Sequence, residues 1–143
     1  MARLLIVDDE DSVRDVLRQL FEYEGHEVAL AASGDEAIRA VGRTKPDVVF
    51  LDVKMPGKDG LEVLDELRRV TPESHVVMIS GHGTIHTAVE ATRRGAYDFL
   101  EKPLDSDRLL LTLRNALQLR GLSASVEELR SEVEARYEIV GSS

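Results

Sequence analysis

The chain has 143 residues, no cysteine, and 27 acidic against 18 basic side chains, for a formal net charge of −9. That length allows one ordinary domain and an extension, with enough core to fold unaided. The missing cysteines exclude disulfides, thiol catalysis and thiolate metal sites, and the acidic balance argues against nucleic-acid contact by this segment.

Aliphatic runs are short, as in Leu4 to Val7, which excludes a membrane span and a secretory signal. The strand pattern starts almost at the first residue, so no leader is expected and the expected location is cytoplasmic. The basic pairs Arg68-Arg69 and Arg93-Arg94 sit late in predicted helices, where they complement the helix dipole. No Gly-rich phosphate loop, HExxH or GxSxG motif is present.

In chain order, Leu4 to Val7 predicts a buried strand that ends in the acidic run Asp8-Asp9-Glu10-Asp11. A helix follows with Val13, Val16, Leu17, Leu20 and Phe21 on one apolar face, stopped by Gly25. Glu27 to Ala31 reads as a second strand. Ser33 to Glu36 forms a capping box for a helix that buries Ala37, Ile38 and Val41. Val48 to Leu51 is a third strand, closed by Asp52 and followed by a loop with Pro56, Gly57 and Gly60.

Leu61, Leu64, Leu67 and Val70 give the third helix its face, with Pro72 just beyond. Val76 to Ile79 makes a fourth strand leading into Ser80-Gly81-His82-Gly83. Thr84 caps a helix expected to bury Ile85, Ala88 and Val89 and to close at Gly95. Tyr97 to Glu101 is a fifth strand, followed directly by Lys102-Pro103. The last helix of the series starts near Asp105 or Ser106 and buries Leu109, Leu110, Leu113 and Leu117.

Strict alternation of five strands with five helices predicts an α/β fold, a doubly wound five-stranded parallel sheet with right-handed crossovers. The flavodoxin-like order 2-1-3-4-5 suits five strands and makes the first and third neighbours. Asp8, Asp9 and Asp52 then meet at one carboxyl edge, and Ser80 and Lys102 arrive from the fourth and fifth strands. Converging carboxylates repel unless a cation or protons compensate. An oxygen-only set with few protein ligands suits Mg²⁺, and a carboxylate is a competent nucleophile toward phosphorus. A metal on one side of a phosphoryl group, with Lys102 and the Ser80 hydroxyl on the other, would supply the positioning and charge neutralisation that such transfer needs.

From Arg3 to about Leu117 the sequence resembles the receiver domain of a bacterial two-component response regulator. The resemblance rests on Val7-Asp8-Asp9-Glu10, Leu51 to Gly60, Ile79-Ser80-Gly81, Gly95 to Phe99 and Glu101-Lys102-Pro103. It implies that Asp52 is the phosphoacceptor, served by a sensor histidine kinase. Asp9 and Asp52 would be direct Mg²⁺ ligands, with Asp8 acting through water and the Lys54 carbonyl as a further ligand. Ser80 would be the switch hydroxyl, Lys102 the ion-pair partner of the phosphoryl group, and the Lys102-Pro103 peptide would be cis. The aromatic switch position falls at Phe99, where tyrosine is frequent, so read-out would proceed through ring packing on the face built by helix four, strand five and helix five. Lys54 and His82 flank the path of attacking water and would tune the lifetime of the acyl phosphate.

Beyond the receiver (residues 1–118), Gly121 is expected to interrupt or bend the fifth helix. Leu119, Leu122, Val126, Leu129 and Val133 then repeat at alternating spacings of three and four, a coiled-coil seam of about two heptads over 119–136. A second copy of the chain would cover that seam, giving a homodimer. Residues 137–143 resemble the start of a further, ATPase domain. The stretches Ile79 to Gly83 and Ala96 to Pro103 resemble the receivers of sigma-54-dependent transcriptional activators of the nitrogen-regulation (NtrC/NtrX) type. In that reading DNA and sigma-54 RNA polymerase are met by other domains, and the chain is a regulatory phosphoacceptor rather than an enzyme on other substrates. The alternatives are a stand-alone Mg²⁺-dependent aspartyl-phosphate phosphohydrolase and a single-domain phosphorelay protein. The first would place its nucleophile after the first strand and carry a cap, and neither feature is present. A flavin-binding module shares the fold but needs a Ser/Thr-rich phosphate loop after the first strand, which is missing here.

Overall fold

Each aliphatic run becomes a strand, and each amphipathic stretch between runs becomes a helix laid on the resulting sheet. The computed structural model describes residues 1–55, 57–81 and 84–123. The strands are β1 (Arg3–Val7), β2 (Glu27–Ala31), β3 (Val48–Asp52), β4 (His75–Ser80) and β5 (Asp98–Glu101). They alternate with α1 (Asp11–Tyr23), α2 (Gly34–Thr44), α3 (Gly60–Val70), α4 (Ile85–Arg93) and α5 (Ser106–Ser123). All pairings are parallel and the order is β2-β1-β3-β4-β5, as the alternation predicts.

Because successive side chains on a strand point to opposite faces, the aliphatic runs feed two cores. Leu4, Ile6, Val48, Phe50, Val77, Ile79 and Leu100 pack with Leu17 and Phe21 of α1 and Leu109, Leu113 and Ala116 of α5. Leu5, Val7, Val49, Leu51, Val76 and Met78 pack on the other face with residues of α2, α3 and α4. Phe21 stacks on Phe50 at a centroid distance of 4.9 Å, fixing α1 over the centre of the sheet. β1 and β3 are buried on both sides, and for this reason they read as unbroken apolar runs.

The punctuation is also local in origin. The Ser33 hydroxyl accepts from the Glu36 amide, the Asp59 carboxylate from Leu61 and the Thr84 hydroxyl from Thr87, each at 3.2 Å. The Asp105 carboxylate accepts from the Asp107 amide at 3.4 Å and so opens α5. Gly25 and Gly95 take φ of 90° and 100° just past α1 and α4, a region that side chains with a Cβ avoid.

Four expectations are corrected. Val70, at the last turn of α3, is 49% exposed, because the helix buries Val63, Leu64 and Leu67 and has left the core by its end. Val16 is 64% exposed, because α1 touches the sheet along a narrow stripe centred on Leu17 and Phe21, and Val16 lies at its rim. Ile85 and Val89 face solvent at 85% and 50% exposure, since α4 meets the sheet through the small Ala91 instead. α5 runs on through Gly121 to Ser123, so that glycine does not interrupt the helix. Leu119 and Leu122 fall on this last stretch of α5. Val126, Leu129, Val133 and segment 137–143 lie outside the described residues, as does His82.

Candidate functional site

The site forms where the chain reverses its direction of winding. β1 leads through α1 to β2 on one side, while β3 pairs with β1 on the other. The residues that end β1 and β3 therefore share the crevice at the carboxyl edge, where open α/β sheets bind ligands. Register places Val7 beside Leu51 and Asp52 beside Ile79, so Asp8, Asp52 and Ser80 stand at neighbouring strand ends. All three are buried, with Asp52 only 5% exposed.

Lys102 reaches this crevice from the end of β5. Its amide donates to the Ser80 carbonyl at 2.8 Å, and the Lys102-Pro103 peptide is cis, as the resemblance implied. The ammonium Nζ stands 3.4 Å from Asp8 Oδ2 and 3.8 Å from Asp52 Oδ2, a single cation between two buried carboxylates. The Lys54 amide donates to Asp52 Oδ1 at 3.4 Å, turning the loop after β3 back over the acid. That loop is closed by the Gly60 amide, which donates to the Val53 carbonyl at 2.8 Å. A Cβ on Gly60 would lie 2.5 Å from that same oxygen, so only glycine permits the return. Lys58 anchors the loop outward through Glu66 of α3 at 2.6 Å and Asp35 of α2 at 3.2 Å.

Electrostatics follow from this crowding. Burial, and then the neighbouring Asp8 carboxylate, push the Asp52 carboxyl up to about 6, against the pull of Lys102 and the Lys54 amide. For Lys102, burial works to lower the pKa, but the Asp52 and Asp8 carboxylates outweigh it and hold the ammonium above the ordinary lysine value. Lys102 is thus the cation that two buried carboxylates share.

Asp8, Asp9 and Glu10 each offer a carboxylate oxygen, and these oxygens lie within 4.8 Å of one another. Asp8 is buried while Asp9 and Glu10 are exposed, so a cation held there keeps a wet side. A hard, oxygen-only, partly hydrated set fits Mg²⁺. Asp52 stands outside this trio and is linked to it through Lys102. The resemblance implies Asp9, Asp52, the Lys54 carbonyl and, through water, Asp8 as the metal set; Glu10 is not in it, yet its carboxylate joins Asp8 and Asp9 here. The signal for Glu10 was its position inside the acidic run. Phe99 lies on β5 beside Met78, half-buried against the core on the α2–α4 side.

The strand order, and the way the acids fall along it, places the molecule in the class of receiver-like α/β domains. Residues 4–114 match the response regulator receiver domain, and the chain belongs to that family. The nitrogen assimilation regulatory protein NtrX of Azorhizobium caulinodans is 44% identical over 129 residues, which cover 89% of this chain and 28% of that protein. The crystal structure of the receiver domain of NtrX from Brucella abortus is 50% identical, with a TM-score of 0.76 over 80% of this chain and 98% of that one. The solution structure of the beryllofluoride-activated NtrC4 receiver domain dimer is 40% identical, with a TM-score of 0.79 over 84% of this chain and 99% of that one. The chain spans less than a third of the length of the curated relatives it matches here, 28% in the case of NtrX. These likenesses support the receiver reading and lend nothing to the stand-alone phosphohydrolase. Among the described residues, no helix is long and apolar enough to cross a membrane.

Proposed function

We propose that this chain is the phosphorylation-controlled module of a two-component regulator, with Asp52 as phosphoacceptor and a sensor histidine kinase as donor. The observation that carries the reading is the buried Asp52 carboxylate, held 3.8 Å from Lys102 beside a trio of acids at the switch point. An Asp52 carboxylate oxygen attacks the phosphorus of a phosphohistidine. The P–O bond forms as the P–N bond breaks, and the imidazole leaves with the electron pair and takes up a proton. With its pKa at about 6, Asp52 is mostly ionised at neutral pH and available as nucleophile.

Asp8, Asp9 and Glu10 would hold Mg²⁺, with Asp52 and the Lys54 carbonyl completing its shell once they are drawn in. Bound there, the ion neutralises charge on the phosphoryl oxygens. Lys102 would leave its shared position between Asp8 and Asp52 and pair with the phosphoryl group, and the Ser80 hydroxyl would turn toward the same oxygens. That shift would be read at Phe99 and on α4, which meets the sheet through Ala91.

The same reading extends to the parent protein. The tail over 119–136 would form a coiled-coil linker between two copies, with Leu119, Leu122, Val126, Leu129 and Val133 in the seam. Residues 137–143 would open an ATPase domain of a cytoplasmic sigma-54 activator, which would meet DNA and polymerase through domains other than this one. Sedimentation with Mg²⁺, with and without beryllofluoride, tests the switch. A change of association state in the wild type that is absent in Asp52→Asn supports it, and identical behaviour in both overturns it. A Leu129→Glu variant that stays dimeric would remove the seam from the proposal.

A further inference from the structure

The N-terminus of α1 differs from those of α2, α3 and α4. Those three helices have a side-chain cap from Ser33, Asp59 or Thr84, whereas Glu10, at the cap position of α1, makes no side-chain capping bond. Its carboxylate instead joins the acidic trio. Four residues into the helix stands Arg14, a cation near the positive end of the dipole, where cations are disfavoured. Its side chain is only 14% exposed. Helical side chains lean toward the N-terminus, and Arg14 uses that lean: Nη1 donates to the Asp8 backbone carbonyl at 2.5 Å and Nη2 to the Asp11 carboxylate. The guanidinium fork thus spans the acidic turn from its first residue to its last. The Glu10 amide closes the turn from inside, donating to Asp8 Oδ1 at 2.9 Å.

We infer that Arg14 is a positioning residue for the cation site: its two-point grip on Asp8 and Asp11 holds the turn so that Asp8, Asp9 and Glu10 converge. This rests on the Mg²⁺ reading above. The inference has a sign that separates it from simple electrostatics. Arg14 is a positive charge close to a divalent cation, so removing it should tighten Mg²⁺ binding if charge alone matters. If Arg14 positions the ligands, removing it should weaken binding, by about tenfold for a group acting through the ligands rather than on the metal.

The test measures the Mg²⁺ affinity of wild type, Arg14→Met and Arg14→Lys on the full chain by calorimetry, since there is no tryptophan to report it. Both variants are expected to bind about tenfold more weakly, and the deficit should persist at high salt, where the opposing through-space gain from losing the Arg14 charge is screened. The lysine variant retains the charge and most of the stem, so it guards against a variant that fails to fold; circular dichroism checks this. Wild-type affinity in Arg14→Lys, equal or tighter binding in Arg14→Met, or a deficit that vanishes in high salt would each overturn the inference. Asp9→Asn separates it from the underlying reading. If wild type binds no Mg²⁺, or Asp9→Asn binds it as well as wild type, the cation site itself is wrong and both fall. If Asp9→Asn alone loses binding, only the role of Arg14 falls.

Discussion

Replacing Asp52 with asparagine should stabilise the metal-free fold at neutral pH. The folded protein holds this carboxyl at about 6, against an ordinary value of 3.8, first through burial and then through Asp8. Between those two values the folded state binds more protons than the unfolded chain, so stability falls as pH rises from about 4 to about 6 and stays lowered above. At full weight a shift of about two units corresponds to about 3 kcal/mol. Asp52 itself is covered, but Asp9 and Lys54 beside it are exposed, and solvent screening reduces the effect to about 1–2 kcal/mol. Asparagine keeps the shape and removes the charge, so in chelator at pH 7 to 8 its Tm should exceed that of wild type by about 3–8 °C. Thermal melts from pH 4 to 8 are the assay. The two curves should converge at the acid end and separate through pH 5 to 6. Mg²⁺ should narrow the gap by stabilising the wild type. A variant no more stable than wild type above pH 6.5 without metal would refute the claim that Asp52 is held ionised at a cost to the fold.

Lys102→Met removes the one cation between Asp8 and Asp52. It should lower stability at pH 7 by about 1–3 kcal/mol and move the Asp52 titration further upward, read by the same melts. Gly60→Ala would press a Cβ against the Val53 carbonyl and the Asp52 backbone, so a loss of about 2–4 kcal/mol is expected in denaturant unfolding. Val16 lines an apolar groove with Leu20, Leu104 and Leu109 that continues to Lys102, and under the proposed function a helix bringing phosphohistidine to Asp52 would dock there. Val16→Asp should therefore leave Tm nearly unchanged and slow phosphotransfer from the kinase, while phosphorylation by acetyl phosphate proceeds at the wild-type rate.

Much of the fold was legible because one rule applied repeatedly. Where both faces of a strand are covered, the sequence shows an unbroken aliphatic run, and β1, β3 and β4 each do so. The caps of α2 and α4 were equally local, each a hydroxyl that bonds an amide three residues on, while the Asp59 cap of α3 was not read from the chain. Once five strands were placed, the strand order brought Asp8, Asp52, Ser80 and Lys102 to one edge without further information. The misreadings arose where helix faces depend on what lies opposite. Val16, Ile85 and Val89 sit at plausible helical spacing, but a narrow stripe on α1 and a small-residue contact on α4 leave them outside the core. Spacing within a helix records which residues could share a face and says nothing about how wide the contact is.

The same limit explains the two residues that the sequence did not single out. Glu10 was visible as an acid in a run of acids, but a run does not say which carboxylates converge, and that depends on how the turn into α1 is wound. Arg14 looks like any basic residue on a solvated helix until its carbonyl partner on Asp8 is known, six residues back and at the end of another element. Both belong to interactions that form only after β1 and α1 are set at an angle to one another. The chemistry of the site is therefore carried by side chains whose identities are plain in the chain, while its geometry is held by neighbours that become recognisable only in three dimensions. An acidic turn that repels itself needs such a neighbour whether or not a cation is bound, and in this molecule Arg14 is placed to be it.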